Sequence, residues 1–459
     1  MERDKTMSND PNGIITVQAP ASKSMSHRTL IAASLANGES VVSGLLDSDD
    51  ITRTRGCLAA CGAKFEETDD GALRVTGAEN GPRGANPDGR DRDAEPHEMY
   101  MHESGTTCRL MTAVAAAGKG SFRIHGAPRM HERPMKELCD ALSRLGVHFT
   151  FEGKEGFLPF VMETKGFRKK TVDITLEESS QYLSGLLLGA PLSEKPTLVT
   201  VSGKKAVSWP YVALTLQVME DFKAGFNVEI LKEGRWTEVP WRSIRRVEPG
   251  ELRFHVEPGS YEPTNYRVEG DWSNSSYFLA AGAVGKKPVR VMGIRPDSLQ
   301  GDRAIIDILA EMGAGLNVTP DKGITIYPRK LRGVNVDMGK CPDLVPTVAV
   351  VAAHAVSPTT IRNVAHLRIK ECDRLQACAE QITKTGCKVE QFDDGIKITP
   401  APLPSGTSID FETYGDHRVP MSMSIFQLAG ITPVFDNPKC VGKSFPEFFD
   451  EWNKVVKGQ

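Results

Sequence analysis

The sequence contains no long hydrophobic run and no marked excess of either charge. Its best apolar stretch, residues 347–356, is far shorter than the roughly 18 apolar residues that a membrane-spanning helix needs. Lys and Arg together number 56 against 59 Asp and Glu. Binding to nucleic-acid backbones depends on a basic surplus, which is missing here. We therefore expect neither a membrane nor a nucleic acid as partner, and any anion must be bound by local groups of Lys and Arg.

Cysteine pairs of the kind that bind structural zinc are also missing. The nine cysteines form no CxxC pair, and their odd number fits reduced thiols better than a disulfide framework. Cys57 and Cys61, one helical turn apart, are interpreted as packing residues. The polar first residues lack the apolar segment of a secretion signal, which is typical of a cytoplasmic protein. At 459 residues, the chain is long enough for two or three domains.

Internal repetition is the strongest structural signal in the sequence. Helix-like segments end in Gly and are followed by strand-like stretches, and these glycines recur roughly 70 to 90 residues apart. Each is predicted to end a helix as a left-handed C′ residue. They are Gly62, Gly146, Gly225, Gly313, Gly386 and Gly458.

A second series of helices alternates with the first. Its members are rich in small apolar residues, and each begins at a Ser or Asp that we predict to be the N-cap. Helices that are apolar nearly all round are predicted to be buried, with the more charged series outside them. The six predicted caps are Ser22, Ser104, Ser179, Ser273, Asp343 and Asp416.

Six copies of such a unit predict an α/β protein of two domains. Each domain would hold three repeated βαβαββ-like units with buried central helices and sheets outside. We expect one domain to comprise residues 1–20 and 267–459, the other residues 21–266. Polar insertions fall at about 78–97, predicted to be a surface loop, and at about 230–265.

The predicted helix starts collect cations. Lys23 and Arg28 lie in the first buried helix, Arg109 follows the second cap, and Arg418 follows Asp416. Helix N-termini offer free N–H groups and a positive dipole end, both of which suit anions. A single such cation is usually a solvated side chain, but a structural repeat has no reason to bring charge repeatedly to buried helix ends. The recurrence predicts a cleft between the domains for small, multiply anionic ligands.

A phosphate-binding P-loop is excluded. Gly442 begins a GKS sequence like the end of a Walker A motif, but the Gly required five residues earlier is Asn437.

The order of the motifs resembles the 5-enolpyruvylshikimate-3-phosphate synthase family over about residues 17–452. The motifs are APASKSMSHR, ESGTTCR, GAPRMHERP, SSQYL, SWPY, VEGDWSNSSYFLAA, HLRIKECDRL, YGDHRVPMS and CVGKSFPEFF. The resemblance implies two inside-out α/β domains hinged by two crossovers. It also implies a monomer that needs neither metal nor organic cofactor.

The resemblance implies a reaction of the shikimate pathway to aromatic amino acids. The enolpyruvyl group of phosphoenolpyruvate would pass to the 5-hydroxyl of shikimate 3-phosphate through a tetrahedral intermediate, with release of phosphate. Asp343 matches the family's base near the 5-hydroxyl, and Glu371 matches the acid and base at the methylene carbon. Lys23 matches the cation that bridges both substrates.

The same resemblance assigns the binding residues. Shikimate 3-phosphate would be held by Lys23, Ser24, Arg28, Ser179, Ser180, Gln181, Ser208, Tyr211, Asp343, His366 and Lys370. Phosphoenolpyruvate would be held by Lys23, Gly105, Arg129, Gln181, Arg374, Arg418 and Lys443. Planar guanidinium groups suit a carboxylate, and Lys suits a phosphate as a compact charge.

Two positions depart from the family pattern. His366 stands where many relatives have Asn, and it can still donate or accept a hydrogen bond. Glu103 also stands where Asn is common, which adds a carboxylate near an anion pocket. In sensitive members of the family, glyphosate occupies the space beside the residue that matches Gly105, so we expect sensitivity here too.

Two alternatives remain at this point. An enolpyruvyl transferase acting on UDP-N-acetylglucosamine would share the chemistry but lack the SSQYL and SWPY contacts. A non-catalytic protein that binds phosphorylated ligands would have lost Asp343, Glu371 or Lys23, and all three are present.

Overall fold

The computed structural model describes residues 13–91, 93–206, 208–244, 247–319 and 323–459. The chain divides into two compact units. The central unit is Lys23–Val268, and the terminal unit combines the segment that ends at Ser22 with Glu269–Gln459. The boundaries predicted from the sequence lie two residues before these positions. Within the described ranges, no helix is long and apolar enough to cross a membrane.

Elements are numbered along the chain, and strand β1 (Ile15–Gln18) belongs to the terminal unit. The helices of the central unit are α1 (Lys23–Leu35), α2 (Asp49–Ala60), α3 (Gly105–Ala116), α4 (Pro128–His131), α5 (Lys136–Arg144), α6 (Gln181–Gly189) and α7 (Trp209–Asp221). Its strands are β2 (Glu39–Ser43), β3 (Lys64–Glu67), β4 (Leu73–Thr76), β5 (His97–Tyr100), β6 (Lys119–His125), β7 (His148–Phe151), β8 (Phe160–Lys165), β9 (Thr171–Leu176), β10 (Thr197–Ala206), β11 (Phe226–Lys232), β12 (Arg235–Glu238), β13 (Leu252–Val256) and β14 (Asn265–Arg267).

The helices of the terminal unit are α8 (Trp272–Val284), α9 (Ile305–Glu311), α10 (Val345–Ala353), α11 (Arg374–Thr383), α12 (Arg418–Met423) and α13 (Phe448–Gly458). Its remaining strands are β15 (Val289–Met292), β16 (Gly315–Thr319), β17 (Gly323–Tyr327), β18 (Asn335–Asp337), β19 (Thr359–Arg362), β20 (Lys388–Phe392), β21 (Gly395–Thr399), β22 (Ser408–Phe411) and β23 (Thr432–Phe435).

Each unit repeats one sheet design three times across the described residues. In the central unit the strand orders are β14-β2-β4-β3, β5-β6-β8-β7 and β9-β10-β13-β11-β12. In the terminal unit they are β1-β15-β17-β16, β18-β19-β21-β20 and the short sheet β22-β23. The first two strands of every sheet pair in parallel, and in all but the short sheet an antiparallel hairpin follows. The predicted α/β fold is confirmed, and the described residues form three sheets in each unit, although β22-β23 lacks the two hairpin strands of the predicted repeat.

The predicted insertions differ in structure. The second adds strand β12 at the edge of its sheet, which becomes five-stranded. In the first, the described residues form no regular helix or strand before β5, although Ala85 bridges Ser121 beside it.

The apolar helices form the interior of each unit, as predicted. Helices α1, α3, α6, α8, α10 and α12 are buried along nearly their whole lengths. Close contact between α3 and α6 depends on a glycine. A Cβ on Gly185 would lie 2.9 Å from both the Arg109 carbonyl oxygen and the Ala113 Cβ. Small residues therefore bring the buried helices together, and their N-terminal side chains with them.

Four of the six predicted helix-ending glycines are left-handed. Gly62, Gly146, Gly313 and Gly386 have φ angles of 106°, 101°, 106° and 90°. The predictions for Gly225 and Gly458 are wrong. Helix α7 ends at Asp221 and the left-handed residue is Lys223, at φ 62°, whereas Gly458 is the last residue of α13.

The predicted N-cap residues agree with the structure only in part. Ser104 does cap α3, because its hydroxyl accepts a hydrogen bond from the Thr107 N–H. Ser273 does not cap α8, since Asp271 lies two residues earlier and accepts from the Asn274 N–H at 2.7 Å.

Asp343 lies in the 3₁₀ helix Pro342–Leu344 before α10, and its carboxylate pairs with arginines instead of capping. Ser180 and His417 directly precede α6 and α12, each one residue beyond the predicted cap, but neither side chain makes a capping hydrogen bond. The predicted residues Ser179 and Asp416 accept instead from the first N–H group of each helix, those of Gln181 and Arg418. Ser22 directly precedes α1, and its hydroxyl donates to Gln300.

Candidate active site

Arg374 is the centre of an ion-pair cluster in the terminal unit. It is the first residue of α11, and its side chain is only 2% exposed. Its Nη1 donates to Asp343 Oδ1 at 2.8 Å, its Nη2 to Glu371 Oε2 at 2.8 Å and its Nε to Asp416 Oδ2 at 2.7 Å. Burial alone would lower the pKa of this guanidinium, but the three carboxylates outweigh burial and raise it well above the ordinary value. One buried cation therefore gathers three carboxylates.

Arg418, the first residue of α12, contacts the same carboxylates. Its Nη2 donates to Asp343 Oδ2 at 3.0 Å, and its backbone N–H donates to Asp416 Oδ1 at 3.0 Å. Its Nη1 donates to the hydroxyls of Ser273 and Tyr277. Two arginines thus share two carboxylates, and the hydroxyls on α8 hold the second arginine in place.

Asp343 is consequently a carboxylate in a strongly cationic position. Burial alone would raise its pKa, but Arg418, Arg374 and Lys370 outweigh burial and hold the pKa well below the ordinary value of 3.8. The group is ionised at neutral pH. It is also a weak base as long as both guanidinium groups donate to it.

Glu371 connects this cluster to a lysine. Its Oε1 lies 3.6 Å from Lys443 Nζ, while its other oxygen accepts from Arg374. Both side chains of the Glu371–Lys443 pair are mostly buried. Lys370 directly precedes Glu371, and His366 lies buried in the 3₁₀ helix Ala365–Ile369. The structure therefore joins five predicted site residues in one network: Asp343, Glu371, Arg374, Arg418 and Lys443.

In the central unit, Lys23 stands at the start of α1. Its Nζ lies 3.2 Å from the buried Asp50 Oδ2, in the first turn of α2. The carboxylate holds the ammonium group at the helix end.

Arg28 is fully buried one turn further along α1. Its guanidinium donates to the Ser24 carbonyl at 2.8 Å, to the Tyr211 carbonyl at 2.9 Å and to the Thr215 hydroxyl at 2.8 Å. Ser184 Oγ lies 3.5 Å from its Nη2. All four acceptors are neutral, and burial lowers the pKa of Arg28 to about 10. Three residues predicted to bind shikimate 3-phosphate, namely Ser24, Arg28 and Tyr211, thus meet in one group.

Gln181 links the N-terminal turns of α3 and α6. Its Nε2 donates to Thr106 Oγ1 at 2.8 Å, and its Oε1 accepts from Arg109 Nη1 at 3.1 Å. Its backbone N–H donates to Ser179 Oγ at 3.2 Å. The carboxamide is therefore held with its orientation fixed at the start of two buried helices.

The other predicted residues of the central unit lie on separate segments. Arg129 is on the short helix α4, where it is partly exposed and pairs with Glu132 at 2.5 Å. Ser208 precedes α7 with φ at 57°, a left-handed conformation that is uncommon for Ser. Gly105 is the buried first residue of α3.

Sequence reasoning missed several residues of these clusters. Asp416 was predicted only as a cap, yet it holds both arginines of the terminal cluster. Asp50, the partner of Lys23, was not predicted, and the buried Arg133 beside Gly105 was interpreted only as one of the cations before a helix, without a site role. The sequence signal for Asp416 was an acid two residues before Arg418, but this acid was interpreted only as a helix cap.

The fold and these clusters define a class of protein. It is a two-unit α/β protein built from repeated sheets and buried helices. The cations and carboxylates at the starts of these helices are suited to proton transfer on small anionic substrates. The family model described as EPSP synthase (3-phosphoshikimate 1-carboxyvinyltransferase) matches residues 12–452. The chain belongs to the EPSP synthase family.

Similar proteins cover nearly the whole chain. A 3-phosphoshikimate 1-carboxyvinyltransferase of Marinomonas sp. (strain MWYL1) is 36% identical over 440 residues, which are 96% of each chain. One of Nitrosomonas europaea is 38% identical over 449 residues, again 96% of each chain.

Two kinds of solved structure share the fold. The EPSP synthase of Acinetobacter baumannii superposes with a TM-score of 0.73 at 24% identity, over 96% of this chain and 95% of that one. The enolpyruvyl transferase NikO of Streptomyces tendae gives 0.66 at 16% identity, over 96% and 94%. At these identities the likeness concerns the fold alone.

Proposed function

We propose that this chain is a 3-phosphoshikimate 1-carboxyvinyltransferase that acts in the shikimate pathway to aromatic amino acids. The observation that carries the proposal is the position of Asp343 between Arg374 and Arg418, with Glu371 on the same Arg374. Such a cluster combines two candidate proton-transfer groups with two cations able to bind a carboxylate. Membership of the EPSP synthase family supports the choice of substrates.

The reaction is an addition followed by an elimination. The 5-hydroxyl oxygen of shikimate 3-phosphate bonds to C2 of phosphoenolpyruvate while C3 gains a proton, which gives a tetrahedral intermediate. The C2–O bond to phosphate then breaks and C3 loses a proton, so the product is an enol ether and phosphate is released. Neither step changes the oxidation state of the substrates, so protein side chains that transfer protons are sufficient for the reaction.

The acid and base roles fall to three side chains. In the proposal, Asp343 accepts the proton of the 5-hydroxyl, Glu371 delivers and removes the proton at C3, and Lys23 neutralises charge on both substrates. A substrate carboxylate that binds Arg374 and Arg418 gives these guanidinium groups a new acceptor. Their pull on Asp343 weakens, its pKa rises, and it becomes a better base when substrate is bound.

The remaining residues bind the substrates in this proposal. Gln181 is suited to contact both substrates, since its carboxamide orientation is fixed by Thr106 and Arg109. Among the described residues, Arg28 donates to neutral acceptors, and none of these residues brings a carboxylate into direct contact to cancel its positive charge. That charge favours a nearby phosphate.

The fold alone does not distinguish the acceptor, because NikO is also an enolpyruvyl transferase. The relatives of 36% and 38% identity favour shikimate 3-phosphate, as does the presence of the SSQYL and SWPY segments, which the sister enzyme is expected to lack. A purely ligand-binding protein is disfavoured because it is expected to have lost Lys23, Asp343 or Glu371, and all three are present.

A phosphate-release assay tests the proposal. The purified chain is incubated with phosphoenolpyruvate and shikimate 3-phosphate, with UDP-N-acetylglucosamine as an alternative acceptor, and with no acceptor. We expect catalytic phosphate release only with shikimate 3-phosphate. Release with the nucleotide sugar would support the sister activity, and no release with either acceptor would contradict catalysis.

A further inference from the structure

A chain of buried hydroxyl groups joins three helices of the central unit. Thr54 is on α2, and Ser104 and Thr107 are at the start of α3. Thr107 Oγ1 lies 2.7 Å from Ser104 Oγ and 2.8 Å from Thr54 Oγ1. His27, on α1, ends the chain with its Nδ1 2.7 Å from Thr54 Oγ1. All four side chains are buried, and the proposed chemistry uses none of them.

Thr107 also contacts the backbone of the residue that holds Lys23. Its hydroxyl donates to the Asp50 carbonyl oxygen at 3.2 Å, and the Asp50 carboxylate accepts from Lys23 Nζ at 3.2 Å. On its other side, Thr107 is hydrogen-bonded to Ser104, the residue before Gly105. One buried hydroxyl therefore connects Lys23 with the turn that begins α3, and both belong to the predicted phosphoenolpyruvate site.

The positions of the protons follow from counting donors. Each hydroxyl has one proton, and the Asp50 carbonyl oxygen can only accept. Thr107 must therefore donate to Asp50, and it accepts from both Ser104 and Thr54. Because Thr54 has then used its proton, it accepts from His27, which carries its ring proton on Nδ1. This order satisfies all of these contacts and leaves out only the longer one from Thr54 to the Asp50 carbonyl oxygen, at 3.3 Å.

The surroundings of His27 agree with this order. Burial lowers the pKa of His27 to about 3, so the ring carries a single proton at neutral pH. Its Nε2 is buried and has no hydrogen-bond partner among the described residues. A proton on Nε2 would be a buried donor without an acceptor, which is rare in proteins.

We propose that Thr107 is a positioning residue, which acts through Asp50 to hold Lys23 in a fixed place relative to the turn that begins α3. This rests on the proposed function, in which Lys23 and Gly105 contact phosphoenolpyruvate. The hydrogen bond from Thr107 fixes the backbone of Asp50, and the Asp50 carboxylate in turn fixes the ammonium group.

Steady-state kinetics of matched variants test the proposal. Thr107→Val removes the hydroxyl at nearly constant size, and we expect the KM for both substrates to rise about fivefold, the usual loss for one neutral hydrogen bond. Thr107→Ser keeps the hydroxyl and should stay within about twofold of wild type. Thr112→Val, also fully buried on α3, is the control and should leave the KM unchanged, since Thr112 has no hydrogen bond to this network among the described residues. A Thr107→Ser variant as impaired as Thr107→Val would overturn the proposal.

A double-mutant cycle shows whether the effect passes through Lys23. In a Lys23→Met background, Thr107→Val should leave the KM unchanged, because the ammonium group that Thr107 positions is already gone. A further rise by the same factor would overturn the proposal. A lower Tm for Thr107→Val at constant KM would also overturn it, since Thr107 would then matter only for stability.

Nitrogen NMR of isotope-labelled histidine tests the order of the protons without any substrate. We expect the His27 signal, assigned by its loss in a His27→Gln variant, to show a proton on Nδ1 and none on Nε2. A proton on Nε2 would make Thr54 donate to His27 and Thr107 donate to Thr54. The bond to Asp50 would then be lost, and the proposal would be wrong.

The two proposals fail in different ways. A wild-type chain that releases no phosphate contradicts the proposed function. An active wild type whose KM does not respond to Thr107→Val contradicts only the positioning role.

Discussion

The guanidinium group of Arg133 occupies the space into which a side chain on residue 105 would extend. A Cβ on Gly105 would lie 2.5 Å from each terminal nitrogen of Arg133, far closer than two such atoms approach in proteins. Arg133 is buried, and its Nη1 is 3.4 Å from the Glu103 carbonyl oxygen. Any side chain on residue 105 therefore requires Arg133 or the turn that begins α3 to move.

Gly105→Ala is expected to distinguish glyphosate from phosphoenolpyruvate. The added methyl group forces Arg133 or the turn to move. The space that remains in the pocket then weakens binding of the longer inhibitor more than binding of the shorter substrate. The inhibition constant of glyphosate should therefore rise by a larger factor than the KM for phosphoenolpyruvate. The two constants are measured side by side, and equal proportional increases would show that this turn does not sense ligand length.

Asp343→Asn and Glu371→Gln are each expected to lower kcat by about 100-fold or more, the usual loss for a positioned acid or base. Asp343→Asn also removes a charge that two buried arginines share, so a lower Tm is expected for that variant. Glu412→Gln, at an exposed position in the same unit, is the control and should keep full activity. A variant that retained more than about a third of the wild-type kcat would rule out the assigned role of its residue.

Lys23→Met is expected to raise the KM for both substrates by about tenfold or more, because it removes a charged donor while keeping a similar side-chain length. Lys119→Met, at an exposed position on β6, serves as the matched control. A change in the KM of only one substrate would contradict the bridging role of Lys23.

Glu137 is expected to make stability depend on pH. Burial and the nearby charges of Glu178 and Glu177 raise its pKa from 4.5 to about 7. The folded state then holds this proton more tightly than the unfolded state, so stability falls as pH rises from about 4.5 to 7.

Glu137→Gln removes that dependence. The variant should resemble wild type at pH 5 and should be more stable by about 1 kcal/mol at pH 8, a figure reduced because the side chain is partly exposed. Urea unfolding at both pH values measures the difference, with Glu163→Gln as an exposed control on β8. If the stability of the variant differed from that of wild type by the same amount at both pH values, Glu137 would not be the source of the pH dependence.

The sequence predicted the parts of the fold that depend on local composition. Repeated apolar helices indicated the buried layer, and glycines such as Gly62 and Gly313 indicated helix ends, because a left-handed backbone strongly favours Gly. The third repeat of the central unit shows the limit of this prediction, because its helix α7 does not end at a left-handed glycine. Lys223 takes the left-handed conformation there, at a helix end where the Ala224 N–H donates to the Met219 carbonyl, and composition does not reveal it.

The site was predicted as residue types but not as contacts. Asp343 has the sequence context of a cap, and only the approach of Arg374 and Arg418 from later segments makes it a member of an ion-pair cluster. The roles of Asp416 and Arg133 depend equally on neighbours far away in the sequence. Long-range contacts of this kind leave no local periodicity from which they could be predicted.

Transfer of the enolpyruvyl group by addition and elimination is tested most directly by isotope incorporation. The reaction is run in D₂O with unlabelled phosphoenolpyruvate and shikimate 3-phosphate, and the methylene group of the product is examined by NMR. Protonation of C3 to a methyl group, followed by loss of one of its three hydrogens, predicts product that carries deuterium in the methylene group. Product formed at full rate with an unlabelled methylene group would contradict the account.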